Sequence, residues 1–257
     1  NSGDFGDKSP AGRIRSCGGV VMSKWRVYGL ICLLLCAAAI VSALGLSKAG
    51  SAVYTALTYE PPVTVVIDAG HGGEDGGAVS VTGVHESRLN LEIALRLNDL
   101  LHLLGVQTAM IRTEDVSVYT EGDTVAQKKV SDIRHRVAMV EQTPNALLIS
   151  IHQNQFSEAK YRGAQVFYAK TDGSQALAEQ LQAQLAAQVD PNNHRACKQA
   201  KDIYLMEHIS CTAVLVECGF LSNSAEEALL RDAAYQKKLA AAVACTIFSY
   251  LEEADEV

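Results

Sequence analysis

Residues 63–73 read Val-Thr-Val-Val-Ile-Asp-Ala-Gly-His-Gly-Gly, a β-branched run that stops abruptly at a histidine enclosed by glycines. Val, Ile and Thr suit a pleated, buried strand, and the glycines let the backbone turn sharply while leaving the His71 imidazole uncovered. A phosphate-cradling loop is the competing reading, and the absent G-x-x-x-x-G-K-[ST] spacing, with no lysine following, argues against it. The segment therefore predicts a strand that delivers a histidine to its C-terminal end, where open α/β sheets hold their ligands.

Outward from this strand the pattern repeats. Residues 63–68, 106–112, 146–151, 164–168 and 213–217 are short apolar runs bounded by turn residues, and each predicts a strand. Between them, Ser87 to Leu104 carries Leu91, Ala94, Leu95, Leu97 and Leu101 on a broad apolar face, with Gly105 just beyond as a helix stop. Residues 174–189 and 235–252 read as helices in the same way. Strands separated by helices imply crossover connections, hence an α/β domain with a largely parallel central sheet and helices on both faces. Polar stretches at 116–130 and 190–200 are read as loops that could cover a site.

The chemistry gathers at strand ends. Leu147-Leu148-Ile149-Ser150-Ile151-His152-Gln153-Asn154 is a second apolar strand ending in a histidine. Glu86, within Gly83-Val84-His85-Glu86, stands just before the long helix in a glycine-rich loop. Alone it would read as a helix-start carboxylate facing the macrodipole. With His71 and His152 it completes a His, Glu, His set, and a catalytic zinc takes three protein ligands while leaving a position for water. Such an ion acidifies water and polarises a carbonyl. A base that does not ligate the metal is then needed, and Glu217 ends the apolar strand Val214-Leu215-Val216-Glu217, where a carboxylate is costly unless it faces a cleft. Asn154 is the candidate substrate contact, either orienting substrate or bracing its loop. Cys218 adjoins Glu217, but strand alternation points it into the core.

The ends and the composition set the context. Val27 to Leu46 carries no charge and follows Lys24 and Arg26, which predicts a membrane-spanning helix with a cytoplasmic N-terminus and an exported body. Val41-Ser42-Ala43 also fits a signal-peptidase site, so this N-terminal helix is a membrane anchor or a cleaved signal. The expected organisation is 1–21 as disordered or upstream of a start at Met22, 22–46 as the signal or transmembrane segment, 47–62 as linker, and 63–252 as the catalytic domain. A net charge of -7 and the absence of a basic run after residue 60 argue against nucleic acid as partner. The seven cysteines show no C-x-x-C pair, which argues against a cysteine zinc knot or a dense disulfide framework and leaves room for one bridge among the last four.

Taken together, residues 67–73, Glu86, residues 150–154 and residues 216–223 (Val-Glu-Cys-Gly-Phe-Leu-Ser-Asn) resemble the zinc-dependent N-acetylmuramoyl-L-alanine amidases. Arg112-Thr113 with Asp115, Arg136 and Gly163 agree further, and the likeness runs from about residue 63 to 251 in order. Among these enzymes the chain is most similar to the short single-domain forms of the spore cortex. The resemblance implies Zn2+ held by His71, Glu86 and His152, with Glu217 as catalytic carboxylate. It implies as substrate the peptidoglycan amide between the lactyl group of muramic acid and the first L-alanine of the stem peptide. Two positions depart from the pattern: Cys211-Thr212-Ala213 stands where a proline is usual, and Ser87 where a lysine is usual. Neither is a ligand, so loop geometry and substrate contacts are what they affect. The alternatives are a zinc peptidase cutting within the stem peptide and a non-catalytic wall-binding protein. Expected partners are peptidoglycan and, through the N-terminal helix, the membrane, with room for an activating protein.

Overall fold

The opening β-branched run forms strand β1 (Thr64–Ala69), every residue of it buried. The structure, a computed structural model, describes residues 62–255 together with Leu33, Leu35 and Ile40. The upstream stretch, the expected membrane segment apart from Leu33, Leu35 and Ile40, and nearly all of the linker lie outside the described residues. Within those residues, no helix is long and apolar enough to cross a membrane. The chain divides into residues 1–60 and 61–257, and the sheet with its helices belongs to the second unit.

After β1 come α1 (Glu86–Leu103), β2 (Gln107–Met110), α2 (Val125–Glu141), β3 (Ala146–Asn154) and β4 (Gln165–Tyr168). These are followed by α3 (Ser174–Gln184), β5 (Lys198–Gln199), α4 (Tyr204–Glu207), β6 (Thr212–Phe220), α5 (Ser224–Leu230) and α6 (Ala233–Asp255). A π-helical turn at Leu185–Val189 extends α3, so the helix expected over 174–189 changes pitch at its end. The six strands form one sheet in the order β2-β1-β3-β6-β4-β5.

The β2-β1-β3-β6 half is parallel as expected, and β4 runs antiparallel to β6 with β5 parallel to β4. The reason lies in the connection: β3 reaches β4 through residues 155–164 without a helix. A parallel return needs a crossover of a dozen or more residues, so this strand comes back reversed. That reversal places the N-terminal end of β4 beside the C-terminal end of β6, next to the site.

Side-chain alternation gives the sheet two buried faces. On one, Val65, Ile67, Ile149, Ile151, Val214 and Val216 pack under α1, α3 and α6. The α1 residues Leu89, Ile93, Leu97 and Leu101 recur at near-helical spacing and are all within 1% of full burial. At roughly 25 cal/mol per Å2 of apolar surface removed from water, each such side chain contributes about 1.5–3 kcal/mol before entropy is counted. On the other face Val66, Leu148, Ala213 and Leu215 pack with Val140 of α2 and with Leu205 and Met206 of α4. Helices thus cover both faces.

Helix α2 begins inside the polar stretch 116–130 that the sequence marks as a loop, so that loop is shorter than expected. Thr124 caps the helix, its side chain accepting from the Gln127 backbone while the Gln127 side chain accepts from the Thr124 backbone. Cys197, Cys211, Cys218 and Cys245 are all free thiols, so the bridge left open among them is not formed. Cys218 is buried in the core, as strand alternation predicts.

Candidate active site

The site lies at the C-terminal ends of β1, β3 and β6, where Glu86, the first residue of α1, joins them. In-register pairing sets its residues side by side: Asp68 with Ser150 across β1 and β3, His152 with Glu217 across β3 and β6, and Glu217 with Gln165 across β6 and β4. Directly paired residues project from the same face, so His152, Glu217 and Gln165 form one polar row. Just beyond, the pairing moves from His152–Glu217 to Asn154–Phe220, two residues on β3 against three on β6. This bulge ends the regular ladder at the site's rim.

His71 lies past the end of β1 with a φ of 61°, a left-handed conformation that costs a non-glycine residue about 1 kcal/mol or more. Two buried arginines hold the segment there. Arg112 donates from Nε to the Ala69 carbonyl (2.8 Å) and from Nη2 to the carbonyls of Gly70 (3.1 Å) and Ser87 (2.8 Å). Arg136 donates to the carbonyls of Ala69 (3.0 Å) and His71 (2.8 Å) and pairs with Asp68. Ser150 also donates to Asp68, at 2.6 Å. Burial alone would raise the pKa of that carboxyl, but the adjoining Arg136 guanidinium outweighs it and keeps the group below its usual range. Gly70 has no room for a side chain, since a Cβ there would lie 2.2 Å from the His152 ring.

His71, Glu86 and His152 offer ligand atoms that all lie within 4.8 Å of one another. His71 Nε2 is 3.3 Å from Glu86 Oε2, and His152 Nδ1 is 2.9 Å from Glu86 Oε1. The imidazole rings meet edge to face with centroids 5.1 Å apart. Glu86 is 4% exposed and is held from outside the set. Its Oε2 accepts from the Ala78 backbone (3.0 Å) and its Oε1 from the Gln153 backbone (3.1 Å) and from Asn90 Nδ2 (3.2 Å). His71 Nδ1 lies 2.9 Å from Asp75 Oδ2, a contact that fixes the tautomer with the proton on Nδ1 and turns Nε2 toward Glu86.

Electrostatics follow from this crowding. Burial disfavours a charged His71, but hydrogen bonds and Coulomb attraction from Glu86 and Asp75 overcome it and raise its pKa to about 9. Burial likewise opposes a charged Glu86, and the two imidazoles reverse that, holding its carboxyl far below the ordinary range. Two nitrogens and one carboxylate oxygen, oriented by other groups and sharing a proton load, are the donor set of a divalent transition-metal site.

Glu217 is different. It is half-buried, and among the described residues its Oε2 is buried with no hydrogen-bond partner. Burial raises its pKa to about 7, with repulsion from Glu86 adding to the effect and attraction to the histidines opposing it. A carboxylate placed beside a cation site, with an orphaned oxygen and a pKa near neutrality, suits a group that must both take and return a proton. Asn154 ends β3 two residues past His152 and is half-buried, and its backbone carbonyl accepts from Leu221 N at 2.8 Å. The strand end is thereby braced.

His71, Glu86, His152 and Glu217 are therefore brought together, while Asn154 stands at the rim two residues past His152. The residues that the sequence did not single out are Asp75, which orients His71, and Asn90, which bridges Glu86 and the Gly70 carbonyl (3.0 Å). Asn90 sits four residues after Glu86 on one helix face, a spacing that marks it as a neighbour of the ligand.

Residues 65–249 match the N-acetylmuramoyl-L-alanine amidase family Amidase_3. The chain is 36% identical over 191 residues to the germination-specific N-acetylmuramoyl-L-alanine amidase of Bacillus subtilis, covering 74% of this chain and 80% of that protein. Among solved structures it is similar to the CwlD amidase of Clostridioides difficile, determined in complex with the GerS lipoprotein. The TM-score is 0.71 at 39% identity, over 74% of this chain and 98% of that one. An N-acetylmuramoyl-L-alanine amidase of Clostridium difficile 630 is also similar, with a TM-score of 0.65 at 29% identity over 74% of this chain and 97% of that one.

Proposed function

This chain belongs to the N-acetylmuramoyl-L-alanine amidase family and is a hydrolase acting on peptidoglycan, and from that premise we propose that it is zinc-dependent and cleaves the lactyl–L-alanine amide with Glu217 as its proton carrier. The observation that carries the reading is the pairing of His152 with Glu217 across β3 and β6, which sets an unligated carboxylate beside the His71, Glu86 and His152 donor set.

His71, Glu86 and His152 would hold the ion, which when bound supplies Lewis acidity to the scissile carbonyl and to water. The chain's own residues do the rest. Arg112 and Arg136 hold the His71 loop, and Asp75 keeps the His71 proton on Nδ1. Glu217 takes a proton from the attacking water through its free oxygen and returns it to the departing alanine amine. Its position at the end of an apolar strand excludes bulk water from one side, which keeps its proton affinity close to that of the task.

We further propose that residues 22–46 export the enzyme as anchor or signal, that 47–62 form a linker, and that 63–252 act as the catalytic domain at the outer face of the membrane or in the wall. We also propose a protein partner that activates this chain; the existence of such a partner is supported by the similar Clostridioides difficile amidase, determined in complex with the GerS lipoprotein.

The test is mass spectrometry of what the full chain releases from purified peptidoglycan. Stem peptides beginning with a free L-alanine amine, and glycans keeping their lactyl groups, are expected. Fragments cut within the stem peptide would overturn the assignment.

A further inference from the structure

The polar row that begins at His152 and Glu217 continues outward to a cation. Gln165 pairs with Glu217, and Arg195 Nη1 donates to Gln165 Oε1 at 3.0 Å. Arg195 also lies with its guanidinium carbon 4.5 Å from the Phe220 ring centroid, and its Nε donates to the Arg162 carbonyl at 2.7 Å. It borders a groove of about 330 Å3 lined by Tyr161, Arg162, Asn192, Asn193 and His194.

The other long cations of this groove are already neutralised: Arg162 pairs with Asp190 at 2.8 Å and Lys160 with Glu158. Arg195 has no acidic partner among the described residues, and its Nη2 has no acceptor among them. A half-buried guanidinium, fixed at two nitrogens and stacked on an aromatic ring, is prepared to take an anion at little cost in ordering.

Its mounting is rigid. Asn193 Nδ2 donates to the Ala164 carbonyl at 2.8 Å, and a Cβ at Gly163 would collide with Asn193 Oδ1 at 2.6 Å, so the 190–195 loop lies directly on the start of β4. Glu226 accepts from the backbone of Gly163 (2.8 Å) and of Phe220 (2.9 Å), fixing both walls of the groove to α5.

We propose that Arg195 is the binding residue for the first free carboxylate of the stem peptide, the one on its second residue. Adjacent strands are about 4.8 Å apart, and Arg195 is reached from Glu217 through Gln165 on the neighbouring strand; if Glu217 meets the departing amine, that step matches roughly one residue of an extended peptide. The inference rests on the amidase reading for the identity of the peptide.

Its test does not depend on turnover. Binding of the free stem tripeptide to the full chain is measured by isothermal titration calorimetry, for the native peptide and for analogues amidated at the second or the third residue. Amidation at the second residue should weaken binding roughly tenfold or more, and amidation at the third should matter little. Arg195→Gln should lose the discrimination, and Arg195→Lys should recover part of it. Equal affinity of wild type for the native and second-residue-amidated peptides would overturn the proposal, and that comparison needs no variant. A larger effect at the third residue would overturn the assignment to the second. Failure of the amidase reading would appear separately, in the products released from peptidoglycan.

Discussion

His152 and Glu217 stand directly opposite one another on parallel strands β3 and β6, yet only His152 contacts Glu86. The pair divides holding a metal from moving a proton, and the division can be separated by mutation. Glu217→Gln keeps the shape and removes the titratable oxygen. It should retain metal and lose roughly 100- to 10,000-fold in kcat, the usual size of a general acid–base contribution. Steady-state kinetics beside metal analysis checks this; near-wild-type kcat would remove Glu217 from the role.

Metal uptake should depend on pH through His71. In the metal-free protein this histidine holds its proton up to about pH 9, because Glu86 and Asp75 outweigh its burial. An entering cation must displace that proton, so apparent affinity should rise by about tenfold per pH unit from pH 7 and level off near 9. Asp75→Asn removes one source of the shift and should move the levelling point downward. Competition with a chromophoric chelator across pH 6–9.5 measures both. The same raised pKa gives the metal-free fold a stabilising contribution that is complete below pH 6.5 and lost as pH rises through about 9. The thermal midpoint of the metal-free protein should carry that alkaline decline.

Gly70 tests how closely the two histidine strands approach. A Cβ at this position would overlap the His152 ring at 2.2 Å, and the Gly70 backbone is not in the left-handed region, so Gly70→Ala strains contact rather than conformation. Displacing a ligand by an ångström should lower metal affinity by roughly 10- to 100-fold. By contrast a Cβ at Gly83 meets nothing within 4 Å, and Gly83→Ala should cost only the strain of its positive φ, about 1 kcal/mol, with metal affinity kept. Chelator competition and thermal denaturation of the two variants separate these effects.

Arg136 supports the site from beneath. It is 2% exposed and pairs with Asp68, which is 1% exposed, while also holding the carbonyls of Ala69 and His71. Arg136→Met leaves a buried carboxylate without its cation and should destabilise the fold by about 3–5 kcal/mol. Urea denaturation checks the magnitude. Loss of less than about 1 kcal/mol would mean that Ser150 alone satisfies Asp68.

Much of this is legible in the sequence because β1, β3 and β6 are apolar runs that break off at a chemically active residue. Such a run must be a strand with its end exposed, whatever surrounds it. Helix α2 is obscured for a physical reason: of its residues only Ser131, Arg136 and Val140 are buried, so no apolar stripe announces it. The Thr124 and Gln127 capping pair is the available signal. The reversal of β4 is likewise written in the short, helix-free span of residues 155–164. Asp75 is hidden among loop glycines, where no periodicity assigns a direction to a side chain. Arg195 cannot be placed without knowing that β4 runs beside β6.

The most direct test of the central claim is the zinc content of the purified full chain, measured by plasma mass spectrometry for wild type, Glu217→Gln and His152→Ala. The three-ligand site predicts about one zinc per chain in wild type and in Glu217→Gln, and little or none in His152→Ala. Equal zinc in wild type and His152→Ala would contradict it.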